Sequence, residues 1–364
     1  MLHPVPDSSL RRRLLRVVAL QRRLVLRLCE LPQGANVDQY WLEGVWHDIH
    51  PEWVGAFWAN DKENRKDCIE TLAAAPAADK LLLAEVCREQ LRFRLLWEQG
   101  GSLSLRKVEW NKKQAVVFSA AGKLLRSFYA PLFYDKGGYR FPCGDLAKSA
   151  FLAGIPSAAL KVCPYCDNYL QTTELDHFLP KDLFPFLSCH PDNLIPSCHD
   201  SNRGSHKGTI PPLDWDAQDQ ALGWFHPRWR SASGRVEVRI EETTASLLST
   251  RLVPRDPTDA IRVKNLDGLF NLSQFWSGQI ADELQLIGSQ VASMLQHEDT
   301  EPNEERVASM LRLLADLKAR EIGKRGLALC HSSLYRFAAD TPSVVTDILR
   351  QCRDQLDYQL DRAR

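Results

Sequence analysis

Between Val162 and Gly208 this 364-residue chain gathers side chains that bind metals and move protons. They are Cys163 and Cys166 in a C-x-x-C, the adjacent Asp176 and His177, then Asn193, Cys198 and Asn202. Four of the ten cysteines and four of the ten histidines lie in this stretch, a density that packing alone does not call for. A C-x-x-C sets two thiolates on one tight turn, where both reach a single ion at about 2.3 Å, and Cys198 is the natural third ligand. A four-cysteine site would place its last thiol at position 201, where Ser201 stands; His199, Cys189, His190 and His206 are the available fourth donors. A closed thiolate site has no open position for substrate, so Zn2+ there would be structural.

The second group is different in kind. Asp176 and His177 close an apolar-flanked strand (Glu174 to Leu179) ahead of Pro180. Asp176 offers a hard oxygen suited to Mg2+, and His177 offers a base that is neutral near pH 7. Asn193 can hold an imidazole or a loop through its amide. Asn202 stands four residues after Cys198, one helical turn on, and can give a metal its second oxygen. Lys207 or Arg203 would then neutralise a phosphate oxygen. The bland reading, a structural His177 beside a helix-capping Asp176, leaves the spacing to Asn193 and Asn202 accidental.

The phrases C-x-x-C, L-D-H-F-L-P-K, N-L-I-P-S-C and S-N ahead of K-G resemble the HNH endonuclease motif from Cys163 to Gly208, about an eighth of the chain. Asn193 falls 16 residues after His177 and Asn202 nine after Asn193, as in that family. The resemblance implies two strands and a helix around one divalent ion (the ββα-metal arrangement), with Mg2+ or Mn2+ on Asp176 and Asn202. It also implies His177 as general base and Asn193 as the residue that orients it. Two departures are Ser201 in place of the last cysteine, and a segment from Asn202 to Lys207 that is two residues longer than N-x-x-K. The second leaves His206 as an alternative ligand to Asn202. The phrasing is most similar to HNH subunits of bacterial anti-phage systems such as Septu and Zorya. That implies hydrolysis of phosphodiesters in DNA, by an effector with protein partners in a defence complex. One such site cuts one strand, so a homodimer would be the form that breaks both. An RNA (tRNA) endonuclease and a non-catalytic, zinc-stabilised nucleic-acid-binding module are the competing readings.

These residues need a scaffold, and 364 residues are enough for two or three units. A hydrophobic content of 44% with 25% charged residues is ordinary for a globular chain. Forty-six basic and 46 acidic residues cancel, so affinity for a polyanion must come from a local patch. Such a patch is written into residues 8–30. Leu10, Leu14, Val17, Val18, Leu24, Val25 and Leu28 recur at helical spacing, and Arg12, Arg16 and Arg23 share the opposite face to hold DNA or a partner. This stretch reads as an amphipathic helix capped by Ser8 or Ser9 rather than a transit peptide. No run approaches the roughly 18–20 apolar residues that span a bilayer, and scattered cysteines without a secretory signal point to reduced thiols and a cytoplasmic protein with no membrane partner.

Residues 37–99 read as helical around Trp41, Trp46, Trp53, Trp58 and Trp97. Residues 103–118 read as a strand pair turning near Asn111 and Lys112, with Val108, Trp110, Val116 and Phe118 as core candidates. Phe128, Tyr129, Phe133 and Tyr134 are core residues by preference and base-stacking residues by alternative. Residues 235–241 alternate as a half-buried strand, and residues 266–287, 307–317 and 342–360 read as helices. The expectation is an α+β fold: a mostly helical region over 1–136, a central HNH core over 137–212, and a C-terminal region over 213–364 with a short strand and then helices.

Overall fold

A computed structural model describes residues 1–59, 64–98, 103–110, 116–129, 146–203, 206–242, 248–295 and 302–363. The architecture is α+β, with helices around two antiparallel two-stranded sheets among the described residues. No described helix is long and apolar enough to cross a membrane. Contacts group the chain into two compact units, one of residues 4–160 and 172–230, the other of residues 1–3, 161–171 and 231–364. The expected boundary at 136–137 lies outside the described residues, and position 212–213 falls within the first of these units.

The first unit is built on the helix Arg11–Glu30. Its apolar positions Leu14, Val17, Val18, Leu24, Val25 and Leu28 are buried, as their spacing requires. Pro32 ends it by driving Leu31 into extended backbone (ψ 144°). The helix starts at Arg11 without a side-chain cap; Ser8 instead accepts from the Leu10 N–H and donates to the Phe151 carbonyl. Trp46 is the centre of the core, edge-on to Phe57 at 5.0 Å and Phe128 at 6.3 Å, with its indole N–H donating to the Leu20 carbonyl at 3.2 Å. Trp97 is buried as well, while Trp41, Trp53 and Trp58 pack against the core from its margin.

No strand forms among the described residues of 103–118, where a strand pair was expected. Residues 103–109 have no regular structure, and Val116–Arg126 is a helix; the turn at Asn111 and Lys112 lies outside the described residues. The physical reason is periodicity over a longer window: Val117, Ala121, Leu124, Leu125 and Phe128 fall on one helical face and are buried together. Val116 consequently points outward, whereas Trp110 and Phe118 are buried. Phe128 and Tyr129 are core residues too, and Phe133 and Tyr134 lie outside the described residues.

Strand β1 (Glu174–His177) pairs antiparallel with β2 (Leu194–Ser197), Asp176 opposite Ile195 and His177 opposite Leu194. All four residues of β2 are buried, and Pro180 prevents β1 from continuing. Cys198 caps the short helix His199–Asn202 through its Sγ, which accepts from the Ser201 N–H at 3.4 Å.

In the second unit the C-x-x-C turn is held by the C-terminal helices. The Trp276 indole donates to the Cys166 carbonyl, Tyr165 stacks on Phe270 at 4.8 Å, and the buried Asp167 carboxylate accepts from the Leu329 N–H. The strand Val236–Glu242 (β3) forms where alternation placed it and pairs with Leu248–Pro254 (β4). The single helix expected over 266–287 is two, Ala260–Phe270 and Leu272–Leu295, separated by Asn271 in the left-handed region (φ 52°). Glu304–Arg320 is capped by Asn303, and Ala328–Asp340 and Pro342–Ala363 complete the unit.

Replacing Trp46 with Ala should lower the stability of the first unit by about 3–5 kcal/mol, the usual cost of emptying a buried aromatic site. Denaturant unfolding followed by tryptophan fluorescence and circular dichroism measures it.

Candidate functional site

Strand β1 delivers Asp176 and His177 to one cavity of about 220 Å³, which Asn202, Tyr129, Lys181 and Asp182 also line. Three of the four residues expected to act together therefore meet at one place. His177 Nε2 lies 2.9 Å from the Ser188 carbonyl oxygen. A carbonyl only accepts, so Nε2 carries the proton and Nδ1 carries the lone pair. The ring of Tyr129 lies 4.6 Å from the imidazole. Burial first, then the charges of Lys181 and Lys207, push the His177 pKa down to about 3 against the opposing Ser188 carbonyl, so the ring is neutral at ordinary pH.

Lys207 is not placed as expected. Its side chain is 0% exposed and cannot reach outward to a nucleic acid. It donates to Asp176 Oδ1 at 3.0 Å and to the His177 carbonyl at 2.7 Å, and lies 2.9 Å from Asp176 Oδ2 as an ion pair. A buried ammonium must be paired and hydrogen-bonded, and Asp176 is the carboxylate within reach.

Asn193 is fully buried and makes no hydrogen bond to the imidazole among the described contacts. Its Oδ1 accepts from the Leu179 N–H at 2.7 Å, and its Nδ2 donates to the carbonyls of Leu179 and Leu187 at 2.9 and 3.1 Å. The direct contact to His177 expected of it is not among the described contacts. Asn193 closes the loop between the strands, and that loop carries the Ser188 carbonyl that fixes His177.

Asn202 Nδ2 donates to Glu174 at 2.7 Å. Glu174 also accepts from His199, whose other ring nitrogen accepts from Arg203 Nε at 2.6 Å. Burial raises the Glu174 pKa, but the bonds from Asn202 and His199 outweigh it and the carboxyl stays below its usual range. Glu174, Ser188 and Lys181 were not singled out in the sequence, and Tyr129 was read there only as a core or base-stacking residue. Glu174 alone carried a signal, standing two residues before Asp176 and so on the same strand face. Arg203 is exposed but committed to His199, and His206, the alternative to Asn202, is not among the cavity residues described.

Cys163 and Cys166 are buried in the second unit, and Cys198 is buried in the first. Cys189 is held by Gln21 and Ser188, with burial pushing its thiol up to about 12. His190 accepts from the Asp192 N–H, and His199 is bound to Glu174.

On the first helix, Arg12 and Arg16 are exposed with no ion-pair partner among the described residues. Arg23 is not free for DNA: it is ion-paired with Asp48 and donates to the Val45 carbonyl at 3.4 Å. Arg11 grips Asp192 through two nitrogens, at 2.9 and 2.7 Å.

No family model matches the chain, and no solved structure matches it. Over 52 residues it is 46% identical to protein ea31 of Escherichia phage lambda, a match covering 14% of this chain. The match spans 17% of that protein's length.

Stability should fall with acid in a window set by the buried histidines. Burial holds the pKa of His177 at about 3, that of His190 at about 4 and that of His226 well below its ordinary value. Between those values and about 6.5 the unfolded chain binds more protons than the folded one. The stabilisation is complete above about pH 6.5 and is lost as pH falls, by up to about 1.4 kcal/mol per pH unit for each group. Urea midpoints at pH 7 and pH 5 measure it, and equal midpoints would contradict neutral burial.

Proposed function

We propose that the chain is a metal-dependent endonuclease of the HNH type that hydrolyses phosphodiester bonds in DNA, acting with protein partners in anti-phage defence. The observation that carries the reading is the meeting of Asp176, His177 and Asn202 in one cavity, with His177 Nδ1 left unprotonated by the Ser188 bond. The defence role rests on the motif phrasing alone.

The donors suit a hard divalent ion. Asp176 supplies carboxylate oxygens, the donor type such an ion prefers. Asn202 Oδ1 accepts no hydrogen bond among the described contacts while its Nδ2 is held by Glu174. Mg2+ or Mn2+ on Asp176 and Asn202 would stabilise charge developing on the phosphate and on the departing 3′ oxygen. The chain's own residues supply the rest. His177 Nδ1 takes a proton from water as the oxygen attacks phosphorus and the bond to the 3′ oxygen breaks. The Ser188 carbonyl then holds the imidazolium through Nε2. Lys207 holds the Asp176 carboxylate in place, and Glu174 turns the Asn202 amide so that its oxygen is free. Arg12 and Arg16 are the exposed cations that would bind the DNA backbone.

Supercoiled plasmid and total RNA, incubated separately with wild type, His177→Ala and Asp176→Ala in Mg2+ or Mn2+, test the reading. Wild type should nick the plasmid, and either variant should lose about 10²–10⁴-fold in rate. Variants indistinguishable from wild type would overturn the nuclease reading, and cleavage of RNA alone would overturn the DNA assignment.

The C-x-x-C thiols of Cys163 and Cys166 are proposed as ligands of a structural Zn2+. Purified protein should carry about one zinc per chain by atomic emission. Cys163→Ser should lose it along with thermal stability, and equal zinc contents would remove the assignment.

A further inference from the structure

Lys181 follows Pro180, the residue at which β1 is forced to stop, and lines the same cavity as His177. Its ammonium lies 4.8 Å from the centroid of the Tyr129 ring, and that ring lies 4.6 Å from the His177 imidazole. Tyr129 is buried, so its face is a fixed platform rather than a swinging side chain. A cation over an aromatic face is attracted by the ring quadrupole and loses freedom without being neutralised.

The other charges of the cavity are matched within the fold. Asp176 is paired with Lys207 and Asp182 with Arg126 at 3.4 Å. No carboxylate lies within ion-pair distance of Lys181 among the described residues. The cavity therefore holds one cation in excess before any ligand enters. A phosphodiester carries one negative charge, and a further charge develops on its non-bridging oxygens as water adds to phosphorus. A fixed ammonium beside the attacking base gains more from that second charge than from the first, which is the condition for catalysis rather than mere binding.

We infer that Lys181, held on the Tyr129 ring, binds a non-bridging oxygen of the scissile phosphate and stabilises the charge that grows there. The inference rests on the nuclease reading for the reaction, but the anion site itself can be tested without it.

Two measurements on the full-length protein separate the inference from the reading beneath it. The first titrates inorganic phosphate, without divalent metal, into wild type, Lys181→Gln and Lys181→Arg, following the His177 ring by NMR. Wild type and Lys181→Arg should show a saturable shift that Lys181→Gln lacks. No shift in wild type, or the same shift in Lys181→Gln, overturns the inference whether or not the protein cuts DNA. The second is single-turnover nicking. Lys181→Gln should lose about 10²-fold in rate with a smaller change in KM, and Lys181→Arg should recover part of it. If Lys181→Gln cuts like wild type while His177→Ala is inactive, the inference is wrong and the nuclease reading stands.

Discussion

The ammonium of Lys207, 0% exposed, paired with the Asp176 carboxylate and bonded to the His177 carbonyl, is the interaction on which the site depends. Removing such a charge from water costs several kcal/mol unless it is paired and its hydrogen bonds are made. Here the Asp176 carboxylate pairs with it, and one carboxylate oxygen and one carbonyl accept its hydrogen bonds. The pair ties the segment beyond the helix His199–Asn202 to the end of β1, so that Asn202 is brought back to the strand carrying Asp176.

Support continues outward through the first unit. Asn193 closes the inter-strand loop with three hydrogen bonds to backbone groups. At the end of that loop, Ser188 turns its carbonyl to His177 and its hydroxyl to the Leu125 carbonyl at 3.3 Å. The buried Gln21, on the first helix, donates to the same Leu125 carbonyl at 2.9 Å. Arg11 on that helix fixes Asp192, next to Asn193. The helical part of the unit is thus the anchor of the loop that orients the proposed base. A site on a loop gains precision only from such packing against rigid elements.

Much of this was legible in the chain itself. Helical periodicity named the first helix and its buried face, strict alternation named Val236–Glu242, and the spacing of Asp176, His177, Asn193 and Asn202 picked out residues of which three share a cavity. Misreadings fell where a short pattern competed with a longer one. The alternation near Val108–Phe118 lost to the helix Val116–Arg126, and the run 266–287 was divided at Asn271, which adopts a left-handed conformation that no local periodicity reveals.

By itself, then, the sequence determined which groups are available and which faces are apolar, because residue type and periodicity are local properties. Pairing and burial are not local, and they decided the rest. Lys207 and Arg23 read as cations for nucleic acid, yet each found a carboxylate, Asp176 and Asp48, far along the chain. Glu174 acquired its role only when Asn202 returned to it across 28 positions. His177 received its tautomer from a backbone carbonyl, a group every residue carries and no sequence can single out. Charge chooses partners by distance and solvent exclusion, and only the folded chain sets either.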